Sequence, residues 1–253
     1  MPSFPFLDHP GPIPFAHRGG ASEAPENSLP AFQHAVDLGF RYLETDVHAT
    51  ADGVLVAFHD DVLDRVTDRS GRIAELPWSE VSQARIEGRE PIPLLEDVLT
   101  TWPGVRVNID PKEDSSVGPL IEVLRRTDAV DRVCVASFSD ARTDRARDAL
   151  GPELCTGMGP EELLGLLRAF EGEAVTFRSQ AAQIPPVDHT GHDLASPDLI
   201  RVAHEHGIVV HVWTIDDPDE MHRLLDLGVD GIMTDRPAVL REVLEARGIW
   251  HGG

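Results

Sequence analysis

Four short polar clusters stand out along the chain: His17-Arg18, Glu44-Thr45-Asp46, His59-Asp60 and Asp110-Pro111-Lys112. Glu44 and Asp46 occupy i and i+2 of the apolar run YLETDV, so on a strand both side chains point to one face. Two carboxylates on a buried face, joined by Asp110 from the next strand, repel one another unless neutralised. Hard oxygen ligands suit Mg²⁺ or Ca²⁺ better than zinc, with Mn²⁺ also open. Two histidines can take and give a proton near neutral pH. Arg18 offers a planar fork for phosphate oxygens. The chain has 22 basic residues, all arginine except Lys112, which stands two residues beyond a candidate ligand. An ammonium fits where a guanidinium is too large. A divalent cation, two histidines, an arginine and a lysine suit the negative, oxygen-rich centre of a phosphodiester, whose phosphoryl oxygens the cation would polarise.

The elements that must position these residues alternate in type. Strand patterns cover 13–17, 42–49, 105–110, 132–138, 154–158, 208–215 and 231–235. A further strand lies near 181–185, where AVTF (174–177) competes with it. Helical patterns follow them at 28–39, 94–102, 119–127, 140–150, 160–170, 196–207, 218–228 and 238–248. Asp52-Gly53 turns the second strand into VLVAFH (54–59), a hairpin. Asn27 or Ser28 caps the first helix, and Ser196 with Pro197 starts another. Eight strand–helix units in 253 residues predict a (β/α)8 TIM barrel, one domain over 1–253 with a small insertion at about 60–91 after the second strand. An open doubly wound sheet is the runner-up. It usually begins with a glycine-rich phosphate loop, and AHRGGASEAPEN lacks the GxGxxG spacing. Because a barrel places its site at the C-terminal strand ends, the four clusters, with Trp213 and Asp235, should converge on one mouth.

Composition bounds the partners. A formal charge of -22 argues against nucleic acid and against stable association with an anionic membrane, but not against a phosphorylated small molecule in a local positive pocket. MPSFPFLDHPGPIPF has neither the basic start nor the apolar core of a secretory signal, and no apolar run approaches a bilayer span, so a cytoplasmic protein is expected. Cys134 and Cys155 form no metal-binding spacing and read as buried thiols. His34, His204, His206 and His222 fall within helical patterns and read as ordinary surface histidines.

Six blocks then carry a resemblance: AHRGGASEAPENSLPAF (16–32), LETDVHATADGVLVAFHDDVLDRVT (43–67), IPLLEDVL (92–99), VNIDPK (107–112), VHVWTID (210–216) and GIMTDRP (231–237). With them the chain resembles the glycerophosphodiester phosphodiesterase family over nearly its full length. The resemblance implies metal-dependent hydrolysis of glycerophosphodiesters to glycerol 3-phosphate and an alcohol. It implies His17 and His59 as the acid–base pair, Arg18 and Lys112 as phosphate binders, and Glu44, Asp46 and Asp110 as metal ligands. Glu26 of PENS would support the histidine or substrate, with Asn27 only capping a helix, and Trp213 would wall the pocket. Two positions depart from the family pattern: Asp110 stands where Glu is usual, and Pro111 removes a backbone donor at a strand end. The stretch 179–195 is expected to form a specificity wall, with Gln183 facing the pocket. Two rival readings remain open, a lysophospholipid substrate and an inactive barrel that binds its ligand as a sensor. Trp78, within the insertion, is read as helix packing rather than membrane contact.

Overall fold

The computed structural model describes residues 4–188 and 190–252; residues 1–3 of the N-terminal stretch and position 189 of the stretch 179–195 lie outside them. In chain order the strands are β1 (Ile13–Ala16), β2 (Tyr42–Ala49), β3 (Leu55–Ala57), β4 (Arg85–Ile86), β5 (Glu90–Pro91) and β6 (Arg106–Pro111), followed by β7 (Val133–Val135), β8 (Cys155–Thr156), β9 (Ala181–Ile184), β10 (Val209–Val212) and β11 (Gly231–Thr234). The helices are α1 (Leu29–Asp37), α2 (Trp78–Val81), α3 (Leu95–Thr101), α4 (Asp114–Arg126), α5 (Asp140–Leu150), α6 (Pro160–Phe170), α7 (Pro197–Glu205), α8 (Pro218–Leu227) and α9 (Pro237–Ala246).

Eight strands lie in the order β8-β7-β6-β2-β1-β11-β10-β9, and each neighbouring pair is parallel. The two ends of this order meet. Gly157, just past β8, bridges Ala181 of β9, with Gln180 N donating to Thr156 O at 3.0 Å and Met158 N to Ala181 O at 2.8 Å. The sheet therefore closes on itself, and the fold is the expected (β/α)8 barrel rather than an open sheet. β3 folds back antiparallel on β2, pairing Val47 with Ala57, as the Asp-Gly turn predicts.

Local sequence explains the helix ends. Ser28 Oγ accepts from Ala31 N at 3.3 Å and Ser196 Oγ from Leu199 N at 3.3 Å, each satisfying a first-turn donor. Ser28, not Asn27, is thus the cap of α1. Residues such as Phe32, Leu43, Leu99, Leu120, Leu199 and Leu240 fill the layer between strands and helices. Phe6 from the N-terminal turn packs against Phe15 and Tyr42, and its carbonyl accepts the Tyr42 hydroxyl at 2.8 Å. This plug covers the end of the barrel where β2 starts, opposite the strand ends that carry the polar clusters. Cys134 and Cys155 are register neighbours, buried and free.

The structure departs from the sequence pattern at the start of α4 and at the end of β7. α4 starts at Asp114, five residues before the proline expected to open it, because Ser116, Val117, Leu120 and Ile121 bury one face that sets the helix start despite the donor lost at Pro119. Of the two stretches that compete for the sixth barrel strand, Ala181–Ile184 supplies it, as expected, and AVTF forms no strand. β7 stops at Val135, leaving Phe138 in a loop. The insertion holds α2 and the β4–β5 hairpin over a separate apolar cluster that includes Phe58, Leu63, Ile73, Val81 and Ile86. Trp78 packs against that cluster, as expected. Among the described residues, no helix is long and apolar enough to cross a membrane.

Candidate active site

The polar clusters converge at the C-terminal strand ends. His17, Arg18, Glu44, Asp46, His59, Asp110, Lys112, Gln183 and Trp213 all line one cavity of about 600 Å³. Glu26 stands just behind it, bonded to Arg18.

β1 leads straight into His17. Because Ala16 pairs with Thr234 of β11, the residues that follow, His17 and Asp235, emerge side by side. His17 Nδ1 and Asp235 Oδ1 lie 2.6 Å apart. Asp235 is itself fixed, its backbone N donating to Asp216 Oδ1 at 2.8 Å. His17 Nε2 faces Glu44 Oε2 at 3.7 Å. Burial disfavours charge on His17, but Glu44 and Asp235 outweigh it and raise its pKa above the usual histidine value.

The chain then turns sharply. Arg18 takes a left-handed conformation (φ 51°), uncommon outside glycine, and Gly19 and Gly20 follow at φ 84° and 101°. A Cβ on Gly19 would stand 2.8 Å from the Ala31 side chain, so glycine lets α1 sit down on the turn. The turn aims Arg18 N at Glu44 Oε2 (3.1 Å) and the guanidinium at Glu26 and Asp46, with Nη1–Oε1 and Nε–Oδ2 both 3.2 Å. Asn27, also left-handed at φ 55°, is buried beside it. Its Nδ2 donates to Asp46 Oδ2 at 3.4 Å, and its Oδ1 accepts from Thr45 Oγ1 at 2.7 Å. The expectation that Asn27 only caps a helix is therefore wrong. It tethers a site carboxylate.

Glu44 and Asp46 share the inner face of β2, and Asp46 stands in register with Asp110 on β6. Lys112 lies between the last two, its Nζ 2.7 Å from Asp46 Oδ1 and 2.7 Å from Asp110 Oδ2. Burial works against all four charges. In Asp46, Lys112 and Arg18 outweigh it and hold the carboxyl below the usual range. Asp110, with one cation instead of two, stays above the usual range. Glu44 is pushed up to about 7 by burial and by Asp46. On Lys112, the two aspartates outweigh burial and raise the pKa. Pro111 costs no ladder bond here. Lys112 N reaches Val47 O on one side, and on the other side the β6–β7 pairing ends at Ile109 and Val135.

His59 follows β3. Its Nδ1 and Asp60 Oδ1 lie 2.6 Å apart, and its carbonyl contacts His48 Nε2 at 3.0 Å. Arg65, from the insertion, clamps this pair. Its Nε donates to Asp60 Oδ2 at 2.6 Å, and its Nη1 and Nη2 to Glu26 at 2.8 and 2.7 Å. A continuous chain of contacts thus runs His59–Asp60–Arg65–Glu26–Arg18. Arg65 holds the Asp60 carboxyl down at about 2 against a small opposing effect of burial.

Sequence reasoning placed Asp235 at a strand end and Asp60 beside His59, but gave neither a role. It missed Arg65 and Asn108 entirely. Asn108 sits two residues before Asp110, so the i, i+2 rule that paired Glu44 with Asp46 was enough to find it. It exchanges two hydrogen bonds with Gln183, of 3.2 and 2.8 Å, and so turns that side chain into the barrel interior. Phe138 meets Trp213 edge-on, with centroids 5.9 Å apart.

The oxygen donors have the chemistry of a hard-cation site: Asp110 Oδ1 is buried without a hydrogen-bond partner, and burial and the neighbouring Asp46 both work against charge on Glu44. Among the described residues, however, no three His, Cys, Asp or Glu side chains already stand close enough together to hold a metal ion. Lys112 supplies the charge between Asp46 and Asp110 instead.

Residues 17–239 match the model of the glycerophosphoryl diester phosphodiesterase family. The chain belongs to that family. It is 43% identical to the Mycobacterium tuberculosis protein named "Probable glycerophosphodiester phosphodiesterase 2", over 99% of this chain and 97% of that one. The crystal structure of glycerophosphodiester phosphodiesterase from Agrobacterium tumefaciens superimposes with a TM-score of 0.76 at 25% identity, covering 90% of this chain and 99% of that one. A phosphodiesterase from Oleispira antarctica, solved with the product sn-glycerol-3-phosphate, superimposes with a TM-score of 0.77 at 25% identity, covering 93% and 97%. As a member of this family the chain is a phosphoric diester hydrolase.

Proposed function

We propose that the chain hydrolyses glycerophosphodiesters, such as glycerophosphocholine or glycerophosphoethanolamine, to glycerol 3-phosphate and an alcohol. The observation that carries this reading is the pair of histidines, each seated on an aspartate at 2.6 Å and both lining one cavity with Arg18 and Lys112. The Oleispira complex supports the choice of product. Arg18 and Lys112 hold the phosphate. One histidine takes the proton of the attacking oxygen and the other gives a proton to the departing alkoxide. Asp235 and Asp60 fix the two rings and stabilise the imidazolium, which the base becomes on taking its proton and the acid carries before giving one. Gln183 and Trp213 shape the wall beside them.

Glu44, Asp46 and Asp110 would hold one divalent cation, Mg²⁺ or Ca²⁺ by donor type. When bound it supplies polarisation of the phosphoryl oxygens. The test is release of glycerol 3-phosphate from the two substrates with EDTA, then with Mg²⁺, Mn²⁺ or Ca²⁺ restored. Activity abolished by the chelator and rescued by one ion is the expected result. No release under any condition would overturn the substrate, and full activity in EDTA would overturn the cation.

A further inference from the structure

The chain leaves β3 with little of its own to hold it. Phe58 N donates to Asp46 O at 2.9 Å, and there the main-chain pairing with β2 ends. Among the described residues, neither His59 nor Asp60 makes a backbone–backbone hydrogen bond. His17 differs, since its carbonyl accepts from Gly20 N at 2.8 Å and is fixed by its own turn. The His59 carbonyl is met instead by a side chain, with His48 Nε2 at 3.0 Å. A carbonyl only accepts, so Nε2 carries the ring proton and donates it. His48 lies on β2 at i+2 from Asp46 and i+4 from Glu44, and so shares their face. It is 2% exposed, and its other ring nitrogen, Nδ1, is buried without a hydrogen-bond partner. Leaving a buried nitrogen unpaired costs stability. A histidine kept at that cost indicates that the bond made by Nε2 matters. The peptide it holds joins His59 to Asp60, so one bond sets the backbone of both members of that pair.

We propose that His48 is a positioning residue for the reaction, acting through the backbone of His59 to hold that ring at the angle proton transfer needs. The inference rests on the phosphodiesterase reading above. His48 does not itself line the cavity, so it reaches the substrate only through His59. Arg65 holds the side-chain end of the pair through Asp60, and His48 holds its main-chain end. Without the His48 bond the ring can turn away from the substrate while Arg18 and Lys112 still grip the phosphate. A displaced catalytic group slows the chemical step rather than weakening binding, so the effect belongs in kcat.

The experiment compares His48→Gln with His48→Asn in the release of glycerol 3-phosphate from glycerophosphocholine. Glutamine carries its amide nitrogen as far out as Nε2 and can reach the carbonyl. Asparagine places its nitrogen where Nδ1 stands and cannot. His48→Leu, which buries no polar atom, is the second variant without the bond. His48→Gln should stay within about threefold of wild type, whereas His48→Asn and His48→Leu should lose roughly tenfold in kcat with KM unchanged. In a His59→Ala background His48→Asn should cost nothing further, because the ring it serves is gone. Equal kcat in the glutamine and asparagine variants, or the same tenfold loss in the His59→Ala background, would make His48 a purely structural residue and overturn the proposal. The ring NMR signal of His59, identified by its disappearance in His59→Ala, should move in His48→Asn and hold in His48→Gln, with that of His17 unmoved in both. That readout needs no turnover. An unmoved His59 signal beside normal wild-type cleavage overturns the positioning and leaves the phosphodiesterase reading intact. A moved signal in an enzyme that cleaves no glycerophosphodiester overturns that reading and leaves the contact standing.

Discussion

The two histidine–aspartate pairs have the same contact distance and opposite origins. His17 and Asp235 are separated by nearly the whole chain and meet because β1 and β11 are neighbours in a closed barrel. His59 and Asp60 are adjacent in sequence, and an arginine from the insertion holds them. The first pair is enclosed, with 15% of the His17 side chain exposed, and touches a second carboxylate, Glu44. The second is more open, at 33% for His59, and is braced by Arg65 instead. One pair is thus built by topology and the other by local sequence plus a clamp. The difference indicates where each is vulnerable.

The largest effect should come from removing either ring. His17→Ala and His59→Ala should each lower kcat on glycerophosphocholine by roughly 10²-fold or more, the usual scale of lost acid–base catalysis. Wild-type turnover in either variant would break the symmetry of the comparison.

The aspartates should then separate the pairs. Asp235→Asn keeps an acceptor for the ring N–H but loses the carboxylate charge that stabilises the imidazolium, exchanging a charged hydrogen bond for a neutral one, a loss of about 1–1.5 kcal/mol, or roughly tenfold in kcat. Asp60→Asn should cost less, because the more open His59 can be reoriented by water. The reverse order would mean that the Arg65 clamp, not enclosure, sets the energetics.

Lys112→Arg should cost roughly tenfold in kcat/KM, since a guanidinium cannot reproduce one ammonium placed 2.7 Å from both Asp46 and Asp110. Unchanged kinetics would make the chain's single lysine incidental.

The smallest effect concerns stability. Asp60 is held at about 2 by Arg65, below its unfolded value near ~3.9. Between those values the unfolded chain binds more protons, so the pair's contribution is present above about pH 4 and is lost as pH falls through about 2. In Arg65→Met the denaturation midpoint should depend less on pH across that window. An unaltered dependence would show that the clamp is not felt in solution.

The legibility of the molecule follows the same division. The barrel could be read because each strand–helix unit announces itself locally, through Ser28, Ser196 and the alternating apolar runs. His59-Asp60 could be read for the same reason. The His17–Asp235 contact needs the strand order, which periodicity does not contain. Arg65 lies in a polar stretch where nothing local separates it from a solvated arginine. Asn27 sits one position before the true cap, Ser28, and its residue type suits either role.

The central claim is that the two pairs flank a single phosphodiester, one as acid and one as base. It is tested most directly by the leaving group. Both alanine variants should be assayed on glycerophosphocholine and on the p-nitrophenyl ester of glycerol phosphate, whose leaving group needs no proton. If the claim holds, one variant recovers most of its turnover on the nitrophenyl ester and the other does not, which identifies the acid. Equal recovery in both variants, or in neither, would contradict it.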